Sequence, residues 1–167
     1  AFYRGKQIRI VVGSAAGGGY DLFARIVARH LANHVPGNPT IIVQNLPDMG
    51  KTPAAAAQAQ QTQLTAIAHL FNSTLNGAIG AAGLQVIQFN TSALLNEIIA
   101  SPSLYGFVNT TTPVCTTPSS IQCTPATLRD PNGNLTWVFA DGVHPTTGAD
   151  LVLAQAVTSM ITGPQQM

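Results

Sequence analysis

The amino-terminal part of the chain alternates strand and helix patterns, and this alternation limits the possible fold more than any other feature. Ile8 to Val12 is a short β-branched run, and Thr40 to Gln44 predicts a second buried strand. A glycine loop and apolar residues at helical spacing lie between them, and these apolar residues are Leu22, Phe23, Ile26, Val27 and Leu31. Residues 8–44 therefore predict a βαβ unit. Such units cross over right-handed, so we expect the two strands to pair in parallel.

Further along, the pattern predicts two more helices and a third strand. Thr52 is a candidate N-cap with Pro53 at the first helical position, and apolar residues then follow one face of a long helix that ends at Gly83. That face consists of Leu64, Ile67, Ala68, Phe71, Leu75, Ala78 and Ile79. Leu84 to Phe89 predicts a strand, and Asn90 is placed to cap a helix over residues 91–100. The pattern as a whole indicates one α/β domain over residues 1–167.

Composition excludes several classes of function. Only 8% of the 167 residues are charged and the net charge is +1, so no basic field is present to hold nucleic acid. No apolar run reaches the roughly 18 residues that span a bilayer, and we expect no membrane insertion. The sequence has no signal peptide, and its polar surface of Gln, Asn, Thr and Ser is common in exported bacterial proteins. We therefore expect a soluble, mature chain that is secreted, periplasmic or at the cell surface.

The two cysteines lie close together in the sequence. Cys115 and Cys123 flank a segment rich in Thr, Pro and Ser, with no histidine or second cysteine pair nearby to suggest zinc. A local disulfide is the expected outcome, and it would hold the segment that leads towards Asp141.

An acid and an imidazole three residues apart form the strongest functional pattern in the chain. Asp141 and His144 lie in the stretch Phe139-Ala140-Asp141-Gly142-Val143-His144-Pro145-Thr146, which we place at the end of a predicted strand. A carboxylate beside a histidine can fix the tautomer of the ring and stabilise its cation, which a general base requires. The alternative interpretation is an aspartate that caps a turn next to a surface histidine.

The residues around this pair resemble a known family. Phe139, Asp141, His144, Pro145 and Thr146, followed by an apolar helix, resemble the last conserved block of GDSL/SGNH serine esterases. From Asn45 onward, residues 45–167 resemble the carboxyl-terminal part of secreted, autotransporter-type members. The resemblance implies a three-layer α/β/α sandwich on a small parallel sheet, flavodoxin-like or SGNH-like, here truncated. The Gly-Asp-Ser-Leu block of the family is absent from the sequence, and its Gly-x-Asn-Asp block has no clear match.

Residues 1–44 resemble a different family. The stretch from Phe2 to Gly13, the loop from Gly17 to Asp21 and the segment from Pro36 to Thr40 look like the amino-terminal βαβ of tripartite tricarboxylate transporter substrate-binding proteins. In that family the loop helps to bind a substrate carboxylate. The chain therefore looks like a chimera, in which a binding-protein βαβ unit replaces the upstream half of an esterase.

Two functions follow from these resemblances. The first is a serine esterase for small-molecule esters, with Ser14 as nucleophile, His144 as base and Asp141 as orienting acid. Ser14 follows a strand at its carboxyl end, where α/β sheets place their sites, although it is equally a loop serine that solvates its own backbone. Backbone N–H groups would stabilise the oxyanion, and they belong to Gly17, Gly18 and Gly19. The second function is a non-catalytic fragment or small-anion (carboxylate) binding module in which the Asp141–His144 pair is a relic.

The sequence implies no cofactor and no metal, and it suggests self-association. His30 and His34 lie one helical turn apart, but no third ligand accompanies them. An SGNH sheet has two strands before the part retained here, and without them a strand edge stays unpaired. We therefore expect a homo-oligomer.

Overall fold

The computed structural model describes residues 7–11 and 40–162, with only the backbone described for residues 7–11 and for Thr40. Among these residues two compact units are distinguished. The first comprises residues 7–11, 40–47 and 66–92, and the second comprises residues 48–65 and 93–162. The single domain expected over residues 1–167 stays a prediction.

The first unit contains a three-stranded parallel sheet. Its strands are β1 (Gln7–Val11), β2 (Thr40–Gln44) and β3 (Ile87–Phe89), in the order β1-β2-β3. Both pairs are parallel, with Ile8 opposite Ile41 and Ile42 opposite Ile87. This confirms the predicted α/β class with its small parallel sheet, whereas the helix predicted between the first two strands lies outside the described residues.

Five α-helices occur in the described residues. They are α1 (Pro53–Ala57), α2 (Gln61–Ala81), α3 (Thr91–Ala100), the single turn α4 (Gly133–Thr136) and α5 (Thr147–Thr162). Four short 3₁₀ turns accompany them, over Met49–Lys51, Pro102–Tyr105, Ser120–Gln122 and Pro125–Thr127. None of the helices in the described ranges is both long and apolar enough to cross a membrane.

Helix α2 covers the sheet of the first unit with its apolar face. Phe71, Leu75 and Ile79 pack with Ile41 and Val43 in one buried cluster. Burial of side chains this large removes roughly 1.5–3 kcal/mol each of unfavourable hydration, so this face stabilises the sheet within the described part of the chain. Ile67 was predicted on the same face but is 51% exposed.

The third strand is shorter than predicted because helix α2 ends in a Schellman motif. Gly83 takes a left-handed φ of 61°, and its N–H donates to the carbonyl of Gly80. The N–H of Leu84 donates back to the carbonyl of Ile79, so Leu84 belongs to the helix end. The strand accordingly begins at Ile87 and not at Leu84.

The second unit has its own core and much irregular chain. Ile98 of α3 and Ala149 of α5 pack with Phe107, Val138 and Phe139. The strand predicted before Asp141 does not join the sheet, and Trp137 makes only an isolated bridge to Asn109. The N–H of Val138 donates to the carbonyl of Asn109 and that of Ala140 to the carbonyl of His144, so this segment pairs with chain of its own unit.

Candidate active site

Residues 138–146 form a closed loop that carries both predicted side chains. The N–H of Ala140 donates to the carbonyl of His144 over 2.8 Å, and the N–H of Thr146 donates to the carbonyl of Val138 over 3.0 Å. Phe139 and Pro145 form an antiparallel bridge between these two bonds. The two arms of the loop therefore lie side by side, with Asp141 and His144 at its tip.

Thr146 attaches this loop to helix α5. Its buried hydroxyl donates to the carbonyl of Trp137 over 2.6 Å and accepts the N–H of Ala149 over 3.2 Å, so it acts as the N-cap of α5. From the sequence, Thr146 was expected only as part of the block around Asp141 and His144. The signal for its role was present, since a threonine directly before a helical run is a common N-cap.

Asp141 and His144 contact each other directly. The Nδ1 atom of His144 lies 2.9 Å from each carboxylate oxygen of Asp141. The carboxylate is buried, with 4% of its side chain exposed, whereas 62% of the histidine side chain is exposed. The structure therefore brings the two side chains together, with the acid inside and the ring at the surface.

Backbone N–H groups surround the carboxylate. Oδ1 accepts from the N–H of Val143 over 3.0 Å and from that of His144 over 2.8 Å, and Oδ2 accepts from the N–H of Ser120 over 2.7 Å. Burial by itself would raise the pKa of Asp141, because it penalises the charged form. The three N–H groups and the imidazole outweigh burial and hold the pKa of Asp141 well below its usual range. Asp141 is therefore ionised at neutral pH.

The ionised carboxylate determines the tautomer of His144. A carboxylate only accepts hydrogen bonds, so the proton of the neutral imidazole lies on Nδ1. The Nε2 atom then keeps a free lone pair on a ring that is mostly exposed. This is the state that a general base needs in order to take a proton from a hydroxyl.

The third backbone donor to Asp141 comes from the loop closed by the two cysteines. Cys115 and Cys123 form a disulfide, as predicted, and Ser120 lies between them. Nothing in the sequence analysis pointed to Ser120. The only signal was the position of the cysteine pair a short distance before the Asp141 block, and the hydrogen bond itself joins residues 21 positions apart.

The other predicted site residues lie outside the described part of the chain. Ser14 and the glycines Gly17, Gly18 and Gly19 belong to residues 12–39. Over the described ranges, no serine hydroxyl is hydrogen-bonded to His144. Those same ranges contain no group of three or more His, Cys, Asp and Glu side chains close enough to share a metal ion.

Comparison with known proteins identifies the relatives of this chain. Residues 20–157 match the family described as GDSL-like lipase/acylhydrolase. The match includes residues 20–44, which the sequence analysis assigned to the transporter-type resemblance.

Individual relatives are longer than this chain. A Pseudomonas putida protein described as an uncharacterized protein in the trpE-trpG intergenic region is 31% identical over 86% of this chain, which covers 25% of the relative. Esterase EstA of Pseudomonas aeruginosa is 30% identical over 76% of this chain and 20% of its own length. The GDSL esterase/lipase APG of Arabidopsis thaliana is 29% identical over 72% of this chain and 38% of its own length. The chain thus spans well under half the length of these relatives, and it belongs to the GDSL-like lipase/acylhydrolase family.

Proposed function

We propose that this chain carries the acid and base of a serine hydrolase that cleaves small carboxylic esters. The observation that carries the proposal is the contact of the buried, ionised Asp141 with Nδ1 of the exposed His144. Membership of the family and the similarity to esterases such as EstA support the reaction class.

In the proposed reaction, a serine hydroxyl attacks the carbonyl carbon of the ester while its proton moves to Nε2 of His144. Asp141 stabilises the imidazolium that forms, and the imidazolium then protonates the leaving alcohol. Water attacks the acyl-enzyme in the same way, which releases the acid and restores the serine. Ser14 is our candidate nucleophile, and the N–H groups of Gly17, Gly18 and Gly19 are the candidate oxyanion donors.

Several further properties belong to the same proposal. A chain with few charges and a disulfide suits an oxidising, extracytoplasmic compartment, so we propose a secreted or cell-surface location. The transporter-type origin of residues 1–44 and the homo-oligomer are likewise proposals. Light scattering at micromolar concentration tests the oligomer, and a mass near 17.4 kDa would contradict it.

Hydrolysis of p-nitrophenyl acetate tests the activity. The parent should release p-nitrophenol, and phenylmethylsulfonyl fluoride should abolish the release if a serine is the nucleophile. His144→Ala should lower turnover by at least about a thousandfold, because the members of such a unit fail together. His69→Ala is the matched control, since His69 is an exposed histidine on α2, far along the chain from the loop, and it should leave turnover unchanged.

Ser14→Ala separates the base from the nucleophile. If Ser14 is the nucleophile, its removal should cost about as much turnover as the loss of His144. Loss of activity in His144→Ala alone would keep the base and reject Ser14. A parent without turnover, or two variants with full turnover, would reject the esterase and favour an anion-binding module with a relic pair.

A further inference from the structure

We propose that the loop between Cys115 and Cys123 is a positioning element of the Asp141–His144 pair, acting through the backbone N–H of Ser120. The catalytic consequence of this inference rests on the proposed esterase function. The positioning itself does not, because it concerns the geometry of the carboxylate.

The two oxygens of Asp141 are held in different ways. Oδ1 accepts two N–H groups from its own turn, those of Val143 and His144. Among the described backbone groups, Oδ2 accepts only the N–H of Ser120, and this bond of 2.7 Å is the shortest of the three. Without the Ser120 donor, Oδ2 would keep only its contact of 2.9 Å with Nδ1 among these partners, and rotation of the carboxylate about its Cβ–Cγ bond would be less restricted. The Ser120 N–H therefore helps to fix the plane of the carboxylate that faces the imidazole.

Ser120 donates outward because of its place in a short 3₁₀ turn. It is the first residue of the turn Ser120–Gln122, and the first N–H groups of a helical turn have no partner inside it. Ser119 caps the turn through its side chain, which accepts the N–H of Ile121. The N–H of Ser120 is thus left to Asp141.

The tip of the loop is loosely packed. Ile121 is 92% exposed, and a cavity of about 330 Å³ lies against the loop, lined in part by Ser120, Cys123 and Ala140. Few apolar contacts therefore oppose movement of the turn.

Hydrogen bonds and the disulfide hold the loop instead. The N–H groups of Val114 and Cys115 donate to the carbonyls of Phe139 and Ala140, each over 2.9 Å. The beginning of the loop is therefore paired with the segment that leads into Asp141. The disulfide brings Cys123 back to Cys115, so the end of the loop, three residues after Ser120, is tied to the same place.

A proline at position 120 removes the donor with little other change. Proline has no N–H and is tolerated at the first position of a helical turn. Ser119 has φ −129° and ψ 138°, an extended conformation that suits a residue before proline. Ser120→Ala is the matched comparison, because it keeps the N–H and also lacks the hydroxyl.

The two variants are compared by carboxyl ¹³C NMR titration of Asp141 and by ester turnover. With its third N–H gone, the carboxylate of Ser120→Pro should titrate at higher pH than that of Ser120→Ala, since fewer donors stabilise the charged form. Its kcat should be about tenfold lower than that of Ser120→Ala, with KM within about twofold, because positioning of the base acts on the chemical step. Equal titration of Asp141 in the two variants would overturn the inference.

Reduction of the parent with dithiothreitol provides a second test that needs no substitution. In the reduced protein, Asp141 should titrate at higher pH and ester turnover should be slower, as in Ser120→Pro. If the reduced and oxidised proteins show the same Asp141 titration and the same turnover, the role of the disulfide is overturned. This test also applies if Ser120→Pro does not fold. If the parent hydrolyses no ester, the proposed function fails, and the Asp141 titration alone still decides whether the loop positions the carboxylate.

Discussion

Two buried aspartates organise two tight turns in the second unit, and they have different partners. Asp48 is 2% exposed and Asp141 is 3% exposed. Asp48 accepts the N–H of Gly50 over 3.0 Å and the hydroxyl of Thr65 over 2.6 Å. Asp141 accepts N–H groups of its own turn in a similar way, but its side-chain partner is the imidazole of His144.

The difference shows that a buried, hydrogen-bonded carboxylate is not by itself a functional site. The partner of Asp48 is a hydroxyl of helix α2, which does not titrate near neutral pH, and the carboxylate caps the 3₁₀ turn over Met49–Lys51. The partner of Asp141 is a titratable ring with most of its surface exposed. In the proposed function, the second turn is the one whose carboxylate would act on a substrate, through the exposed ring of His144.

The largest expected effect comes from neutralising one aspartate and not the other. Asp141→Asn should lower turnover of a p-nitrophenyl ester by about 10³–10⁴-fold, because an amide can orient the ring in the wrong tautomer. Asp48→Ala should keep turnover per folded molecule but lower the unfolding free energy by about 1–3 kcal/mol, since two buried donors lose their acceptor. Steady-state kinetics and urea unfolding measure both. Equal losses of turnover would show that the two turns do not differ in function.

The glycines of the two turns provide the next comparison. A Cβ at Gly50 would collide with the Thr65 hydroxyl and with the carbonyl oxygen of Gln61, whereas one at Gly142 would only touch the Cβ of Ala54, at 3.3 Å. Gly50→Ala should therefore lower the unfolding free energy by about 3 kcal/mol, and Gly142→Ala by less than about 1 kcal/mol. Urea unfolding curves measure the free energy of unfolding of both variants, and a larger loss for Gly142→Ala than for Gly50→Ala would contradict this prediction.

Acid should destabilise the Asp141 turn through its carboxylate. The pKa of Asp141 is lowered in the folded protein, so its stabilising contribution is present above the unfolded value near 4 and is lost as pH falls towards the folded value. The unfolding free energy of the parent should thus fall by an additional amount on the order of 2 kcal/mol between pH 5 and strong acid. Asp141→Asn should lack this additional fall. Parallel pH profiles for parent and variant would contradict the assignment.

The smallest effect concerns the two threonines that follow these turns. Thr52 caps α1 and Thr146 caps α5, through bonds of 3.3 and 3.2 Å to the N–H groups of Ala55 and Ala149. Replacement of either by Ala should lower the unfolding free energy by about 1 kcal/mol. Because Thr146 lies two residues after His144, only Thr146→Ala should also lower kcat, by a few-fold. Unchanged kcat in both variants would mean that the cap does not hold the histidine.

Patterns of residue type and spacing in the sequence predicted several elements of the fold. The parallel pairing of β1 with β2, the cap at Thr52 with Pro53 after it and the bounds of helix α3 all agree with the structure. The disulfide of Cys115 and Cys123 also agrees. In each case, the residue types and their spacing leave few alternatives.

Other features of the fold had no local signal. The predicted long helix is divided into α1 and α2 at Ala59, which takes a φ of 54° that the sequence does not suggest for an alanine. Asn72 lies on the buried face of α2, where its amide bonds both the N–H and the carbonyl of Leu46, each over 2.8 Å. The Asn72 side chain thus satisfies the backbone N–H and carbonyl of the residue that follows β2 by two positions. A helical pattern alone does not reveal this role.

The candidate site shows the same division between local and long-range contacts. Spacing together with the resemblance of the flanking residues predicted that Asp141 and His144 pair, and the structure places Nδ1 2.9 Å from the carboxylate. The burial of the carboxylate and the donor from Ser120 depend on chain 21 residues earlier, which had to be folded back and tied by a disulfide. A local pattern carries no information about which distant N–H will reach a carboxylate, since that depends on how the intervening loop is closed. The sequence by itself therefore determined which two side chains are candidates for the pair, and only the tertiary structure decided that the carboxylate is buried and that the N–H of Ser120 reaches it.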